Sequence, residues 1–561
     1  MAAPRKTTVK VLFYAIDGTG LGHVSRLLAL ARSARELLHA LGHRADFQFL
    51  TTSDAPEVID DFPAYKLPSK TAIAAGDAAA RGFTASAKSL VANLCAGFRP
   101  DILVLDTVPD GAFHEFLFIR DYARRTAFVD RHKDRSHSRS RSHLSHLALY
   151  DLILVPAWER ESGRYPLPRK LEARRRFTGP IHGLRHERLL SRAEVRARFG
   201  VPSERDVLYL SAGGGGDAHA GDEIATLLDA AADDDRWFVL VGYGPLYRGE
   251  RCYRRHVVPL SEPEVYRYFA GVDAAVCAAG YNTYQELLAA GVATVFYPQK
   301  KGLDRQDERV AAGVAAGWHR AVSRLDRDLV RAELARLADP EERLRLQAGW
   351  EARPLAEGQL AGAVELLKLF ADLDKSTLDR RALFPAACLR HTWTRLARAS
   401  PPWAGDVSFA EAYREVAALR ALARDSSVSP ADDDDRYLVA WEAAQEEQPP
   451  PLPPEWRELA ERGARLAGLR RATGLSFGHW RRLVADVIGD VAGDPSTFAS
   501  RQRILEGLVN DLCAKVPAPE RPRFLLGDDL DVADAAERLR ALAADHHDHH
   551  DQPSDDEDDE R

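Results

Sequence analysis

The sequence predicts an α/β protein of two doubly wound domains in tandem, extended by a helical region and an acidic tail. Three observations predict it. Strand-like apolar runs alternate with helical patterns through the first part of the chain, a second alternating series begins at Asp206, and the strand pattern stops after about Ala371. Such alternation is the grammar of a parallel sheet with helices on its faces.

The first run, Val9 to Ile16, is rich in β-branched and aromatic residues, as a strand buried on both faces requires. Three glycines follow in "GTGLGH", Gly18 to His23, and then Val24, Leu27, Leu28, Leu30 and Ala31 recur at helical spacing. The segment is a strand-loop-helix corner. Its glycines permit positive φ and let a ligand approach the main chain, while the N–H groups of a helix start attract anions; Gly20 and Gly22 are therefore candidates to face a phosphate. The spacing is neither the dinucleotide G-x-G-x-x-G nor a P-loop, and the same residues also suit a plain tight turn with His23 as helix cap.

Further strands are expected at Asp46 to Leu50, Ile102 to Asp106, Ala127 to Asp130 and Leu152 to Pro156, with helices such as Ser25 to Leu41 and Phe113 to Arg124 between them. Asp106, at a strand end, is either a residue entering a cleft or a turn former. The stretch "DRHKDRSHSRSRSHLSH", Asp130 to His146, concentrates Arg, His and Ser. It suits a loop facing an acceptor phosphate or an anionic membrane surface, or simply a solvated loop. Nucleic acid is not expected as a partner, because no aromatic residues interleave the basic ones.

A hinge near Pro180 to Glu187 places the first domain at residues 1–183 and the second at 184–372. The second opens on "DVLYLSAGGGGD" and has its own glycine corner, Gly213, Gly214 and Gly215, after its first strand. Ligands of open α/β sheets lie at the carboxyl ends of the strands, so two such corners, one per domain, point to a charged ligand between them. In "DAAVCAAGYNTYQELLAAGVATVFYPQKKGLDRQDERVA", Asp273 to Ala311, a strand ends at Cys277, Gly280 permits the turn, and Asn282 or Thr283 can cap the helix that follows. That helix start would aim N–H groups and its positive dipole end at phosphate. Glu286 follows Thr283 at the spacing of a capping box, or else accepts hydrogen bonds from ribose hydroxyls. Asp304, Gln306 and Asp307 bring polar groups into a loop over the same strand ends, suited to sugar hydroxyls or to a solvated helix start.

After residue 372 the pattern turns helical and rich in Ala, Leu and Arg, interrupted by the stiff "QPPPLPPEW" at Gln448 to Trp456. Residues 373–544 form this region of unassigned role, and residues 545–561 an acidic tail expected to be disordered. The tail holds nine acids and one arginine, so the net charge of −7 over 561 residues belongs to it, and the body before it is near neutral at +1. Five scattered cysteines without C-x-x-C spacing argue against a disulfide framework or a cysteine zinc site and for a reducing, cytoplasmic compartment. No signal-like opening and no apolar run near ~18 residues is seen, so any membrane contact is expected to be peripheral, at the inner face.

"GTGLGH", "SAGGGG" and "AAGYNTYQELLAAGVATVFYP…DRQDE", in this order and at these separations, resemble glycosyltransferase family 28, and more closely a group of predicted bacterial glycosyltransferases with a glycine-x-glycine-histidine corner followed by an arginine and a Leu-Ala helix, as in Gly20 to Leu30. The resemblance covers about residues 8–370. It implies two Rossmann-like domains of the GT-B type facing across a cleft. A nucleotide-sugar donor, with UDP the expected nucleotide, would be held mainly by the second domain. It also implies that Gly280 and Thr283 flank the diphosphate, Glu286 holds the ribose, Gln306 contacts the donor sugar, Gly213 to Gly215 line the diphosphate cleft, and His23 sits beside the reaction centre. Asp307 stands where the family commonly has a second Gln, Ala279 where it often has Ser, and Ser25 and Arg26 where a proline often follows the histidine.

The chemistry expected on this basis is inverting, metal-independent transfer of a hexose or N-acetylhexosamine to the hydroxyl of a glycan, lipid-linked or small-molecule acceptor, with no cofactor. His23 is the candidate base, kept neutral by the helix dipole, and Asp106 a second catalytic candidate. The absence of a D-x-D motif in the expected place agrees with a metal-free mechanism. The same motifs also suit a nucleotide-sugar hydrolase or a non-catalytic nucleotide-sugar-binding scaffold.

Overall fold

A computed structural model describes residues 7–373 apart from 18–19, 70–72, 74–79, 132, 134, 233, 301–303 and 352–356, and scattered residues between 377 and 409. The chain divides into two compact units, Met1–Trp403 and Ala404–Arg561. The second unit, and with it most of the expected helical region and the acidic tail, lies outside the described residues apart from Phe409.

Unit Met1–Trp403 holds two all-parallel sheets. The first is built from β1 (Thr8–Ala15), β2 (Arg44–Thr51), β3 (Ala64–Lys66), β4 (Ile102–Asp106), β5 (Arg125–Val129), β6 (Leu152–Val155) and β7 (Arg175–Phe177), in the spatial order β3-β2-β1-β4-β5-β6-β7. The second comprises β8 (Asp206–Ser211), β9 (Trp237–Gly242), β10 (Val257–Leu260), β11 (Ala274–Ala278), β12 (Thr294–Tyr297) and β13 (Arg320–Ala321), in the order β10-β9-β8-β11-β12-β13. Every ladder in both sheets is parallel. These are the two Rossmann-like domains that the alternating pattern predicts.

The central strands read as near-continuous apolar runs because helices cover both faces. Alternate residues of the second sheet go to opposite layers. Leu208, Leu210, Val239, Val241 and Val276 pack with Ile224 and Leu227 of α4 (Ala220–Ala231), whereas Val207, Tyr209, Leu240, Cys277 and Phe296 pack with Tyr284, Leu287 and Leu288 of α5 (Tyr281–Ala290). In the first sheet α1 (Gly22–Ala40) buries Val24, Leu27, Leu28, Leu30 and Ala31, the residues whose spacing marks it as a helix. Helix α2 (Ala80–Phe98) covers the opposite side through Ala87, Val91 and Cys95.

Two features depart from the sequence reading. Phe113 to Arg124 is not one helix: only Phe116–Ile119 is α-helical, followed by a 3-10 turn at Arg120–Tyr122. The buried Glu115 carboxylate takes the N–H groups of Ala112 (3.2 Å) and Phe113 (2.6 Å) and the Tyr14 hydroxyl (2.5 Å), and His114 sits at φ +59°, outside helical geometry. The basic stretch is also more structured than a loop: it contains helical Arg135–Ser138 and α3 (Arg141–Leu147), the latter capped by Ser140 accepting from the His143 N–H. Beyond the second sheet, α6 (Gln306–Ala315) and α7 (Arg327–Leu337) complete its layers. Then α8 (Gly358–Ala371) crosses back and packs on α1 and behind β5 and β6. A Cβ on Gly362 would lie 2.5 Å from the Leu30 side chain, so glycine is what lets the two helices approach. Among the described residues no helix is long and apolar enough to cross a membrane.

Candidate functional site

In each sheet the strand order reverses at one place, between β1 and β4 and between β8 and β11. Ligands of open α/β sheets bind at such switch points, beyond the strands' carboxyl ends. Asp106 ends one of these four strands, and the chain segments that follow the other three carry His23, Gly213 to Gly215 and Gly280, all marked by sequence.

After β1 the chain reaches Asp17, which sequence reasoning overlooked. Its buried carboxylate accepts from the Val24 N–H (2.8 Å) and the His23 N–H (3.4 Å). The amino end of α1 is thereby taken by the protein's own anion. The residue at the cap position is Leu21, with no side-chain cap, so His23 is not a helix cap. The His23 imidazole lies 3.9 Å from Asp17 through Nδ1, which is buried and has no hydrogen-bond partner. Burial is the main cause that raises the Asp17 carboxyl, against the opposing pull of His23. Gly20 is exposed and Gly22 opens α1, with no neighbour that a Cβ on Gly22 would meet.

Asp106 is fully buried and forms a two-point pair with Arg26, Nε to Oδ2 at 2.8 Å and Nη2 to Oδ1 at 2.7 Å. Burial alone would raise its pKa; the Arg26 guanidinium more than offsets this and holds the carboxyl below the usual range. Both oxygens are thus committed to a cation rather than presented to a substrate.

The amino end of α5 is the opposite of that of α1. Gly280 is its cap residue, at φ −59° and ψ 142°, and no side chain caps it. The capping roles expected of Asn282 and Thr283, and the Thr283–Glu286 capping box, are not formed, because the helix starts three residues earlier than such a box requires. Asn282 Oδ1 is buried without a partner. Glu286 instead accepts from the Gly183 N–H in the linker (3.3 Å), and burial pushes its carboxyl up to about 7. Beside this helix start Arg309 donates to the Ala279 carbonyl (2.5 Å) and pairs with Asp304 (2.7 Å). Gln306 is 2% exposed, its Oε1 accepting from the Gln299 N–H (3.0 Å) and its amide donating to Asp304 (3.3 Å). Asp307 is on the surface, paired with Arg305, in keeping with a solvated helix start.

The glycine corner after β8 needs glycine for two reasons. Gly213 and Gly215 have φ of +93° and +80°, and a Cβ on Gly215 would lie 2.2 Å from the Tyr243 carbonyl oxygen. Gly214 faces the first domain: a Cβ there would lie 3.9 Å from the Leu21 backbone nitrogen and side chain. The two glycine corners therefore meet. Nearby, the Tyr281 hydroxyl at the start of α5 donates to the Pro156 carbonyl (2.9 Å) and accepts from the Ile181 N–H (3.1 Å), with Arg26 and Arg309 over its ring at 5.3 and 5.5 Å. Arg131, just after β5, pairs across the boundary with Asp304 at 2.9 Å.

Two Rossmann-like domains with both switch points turned to one another define the class. The architecture is GT-B. No family model matches the chain, and no curated protein matches it. Among solved structures it is similar to the kitacinnamycin glycotransferase, at 17% identity over 65% of this chain and 100% of that one, with a TM-score of 0.45. It is also similar to the calicheamicin glycosyltransferase, at 15% identity over 65% and 99% with a TM-score of 0.44. MurG of Acinetobacter baumannii follows at 15% identity over 66% and 100%, with a TM-score of 0.41.

Within the GT-B frame Leu21, two residues before His23, meets Gly214 of the second corner, Gly280, Asn282 and Thr283 lie at the cap and first turn of α5 beside Tyr281, which reaches Pro156 and Ile181, and Asp106, Gln306 and Asp304 turn to partners within the protein. Sequence reasoning passed over Asp17 and Arg309 and reached Arg131 only as part of the basic stretch Asp130 to His146. Asp17 is signalled only weakly, as an acid six residues before the histidine it contacts, and Arg309 stands three residues after Gln306 within the quoted motif.

Proposed function

We propose that the chain is a glycosyltransferase that moves a sugar from a nucleotide donor, with UDP the expected nucleotide, to an acceptor hydroxyl. The observation that carries this reading is the amino end of α5. It has no side-chain cap, lies against Arg309, and opens at the β8/β11 switch point where the glycine corners meet, whereas Asp17 already fills the equivalent position on α1. A helix start of this kind suits a diphosphate.

In the proposed reaction the acceptor oxygen attacks the anomeric carbon as its bond to the diphosphate oxygen breaks. His23 takes the hydroxyl proton, and the α5 amino end with Arg309 stabilises the departing nucleoside diphosphate, which gains one negative charge as the bond breaks. Asp17 holds the His23 main chain, and Asp106 fixes Arg26 against Tyr281. In this reading Glu286 accepts from ribose hydroxyls, and the acceptor is a glycan, a lipid-linked or a small-molecule alcohol. The charge stabilisation comes from side chains and a helix dipole, so turnover is expected to persist in EDTA.

Calorimetric titration with UDP, AMP and NAD, followed by mass spectrometry of products from UDP-sugars with and without cell extract, tests the reading. UDP is expected to bind best. Equal or tighter binding of NAD contradicts the donor assignment, and release of free sugar with no acceptor product identifies a hydrolase.

A further inference from the structure

We infer that Arg131 binds a phosphoryl anion at the domain boundary, reaching it from the first domain to complete the site at the amino end of α5. Where that anion is the donor's diphosphate the inference rests on the transferase reading above; where it is a phosphate on the acceptor it stands without the donor.

The neighbouring residues fix how Arg131 is delivered. Asp130 turns into its own domain, with Oδ1 3.2 Å from Lys133 Nζ and 3.4 Å from His143 Nε2, and both of these side chains are almost fully buried. The backbone is pinned there, and the next residue reaches across to Asp304, Nη1 to Oδ1 at 2.9 Å, with its side chain 14% exposed. Asp304 does not serve Arg131 alone, because the same oxygen accepts from Arg309 at 2.7 Å. Arg26 spends its donors on Asp106. Three guanidiniums thus share two carboxylates, and Arg131 is the least well matched. Burial, with Arg26 and Arg309 adding to it, lowers its pKa despite Asp304.

The Nε of Arg131 is buried and has no hydrogen-bond partner. A buried donor left unmatched is costly, and on a cation more so. A phosphoryl group relieves both deficits, since it brings negative charge and oxygens in the spacing that a guanidinium fork matches.

The full chain, as wild type, Arg131→Gln and Arg131→Lys, is titrated calorimetrically with UDP, uridine, and inorganic pyrophosphate with and without saturating UDP. Arg131→Gln is expected to lose about 10- to 100-fold in affinity in one phosphoryl arm, with uridine unchanged. Loss for UDP assigns the anion to the donor; loss for pyrophosphate added to the UDP-saturated chain assigns it to the acceptor. Arg131→Lys keeps the charge and the Asp304 partner but has no donor at the Nε position, so it is expected to recover only part of the loss. Full recovery with lysine reduces Arg131 to a structural cross-link and overturns the inference, as does wild-type affinity of Arg131→Gln in both arms. A wild type that binds pyrophosphate through Arg131 but not UDP sinks the donor reading alone. A wild type that binds neither sinks both.

Discussion

His23 holds its main chain against Asp17 while its Nδ1 stays buried and unmatched, and Leu21, not His23, stands at the helix cap position. Replacing it with alanine removes no cap, so His23→Ala is expected to lower kcat by about 10²- to 10⁴-fold with UDP affinity and melting temperature close to wild type. A kcat within twofold of wild type removes it from the chemistry. Glu286 makes a different kind of prediction. Burial raises its carboxyl from 4.5 to about 7, so the native state holds the proton more tightly than the unfolded chain. Its contribution to stability is therefore complete below about pH 4.5 and falls away as the pH rises through 7. Glu286→Gln, neutral throughout, is expected to flatten stability between pH 4.5 and 7 in denaturant unfolding; an undiminished slope in the glutamine variant contradicts the assignment.

The two helix starts show how alike sequences make unlike elements. α1 follows a glycine corner and α5 the turn glycine Gly280, and the periodicity of each marks it as a helix, but which one carries an internal anion depends on Asp17 folding back over seven residues. Spacing within one element does not encode that contact. Gly280 offers the converse experiment: its backbone is in the β region and a Cβ there meets nothing within 4 Å. Gly280→Asp is expected to cap α5 and stabilise the protein by about 1 kcal/mol while weakening UDP binding at least tenfold, because the new carboxylate occupies the anion's place and repels it. Tighter UDP binding by that variant argues against phosphate at α5. The strands of both sheet centres were legible because they are long, apolar and buried on both faces. The edge strands β3, β7, β10 and β13 were not, being two to four residues long and carrying little pattern. The helical reading of Phe113 to Arg124 failed for a tertiary reason, the recruitment of Glu115 by Tyr14, 101 residues away in the chain. At the site, glycines and the histidine announce themselves by type, whereas Arg131 and Arg309 acquire meaning only when Asp304 is placed between them.

At the scale of the whole unit, the linker between the domains is held by a closed set of charges. Arg185 pairs with Glu36 of α1 (2.5 Å) and Glu187 (3.0 Å), and Arg390 pairs with the same two carboxylates at 2.9 and 2.6 Å. Burial would raise Glu187, but Arg390 and Arg185 overcome it and bring its carboxyl down to about 2. Its share of stability is present above about pH 4.5 and is lost as the pH falls toward 2. Arg390→Met leaves the Glu36 and Glu187 carboxylates to one arginine and is expected to cost on the order of 3 kcal/mol in chemical unfolding at pH 7, with the deficit shrinking at pH 3. An equal deficit at both pH values rules out the ionic origin. The return of α8 onto α1 has a consequence in time as well as in space. Leu30, Leu154 and Thr178 of the first domain meet Gly362, so the layer over that sheet is supplied from the far side of the second domain. A chain emerging from the ribosome amino end first can finish the second domain's sheet by residue 321, while the first domain, though made earlier, stays without its cover until residue 371 has been synthesised. The domain born first is completed last.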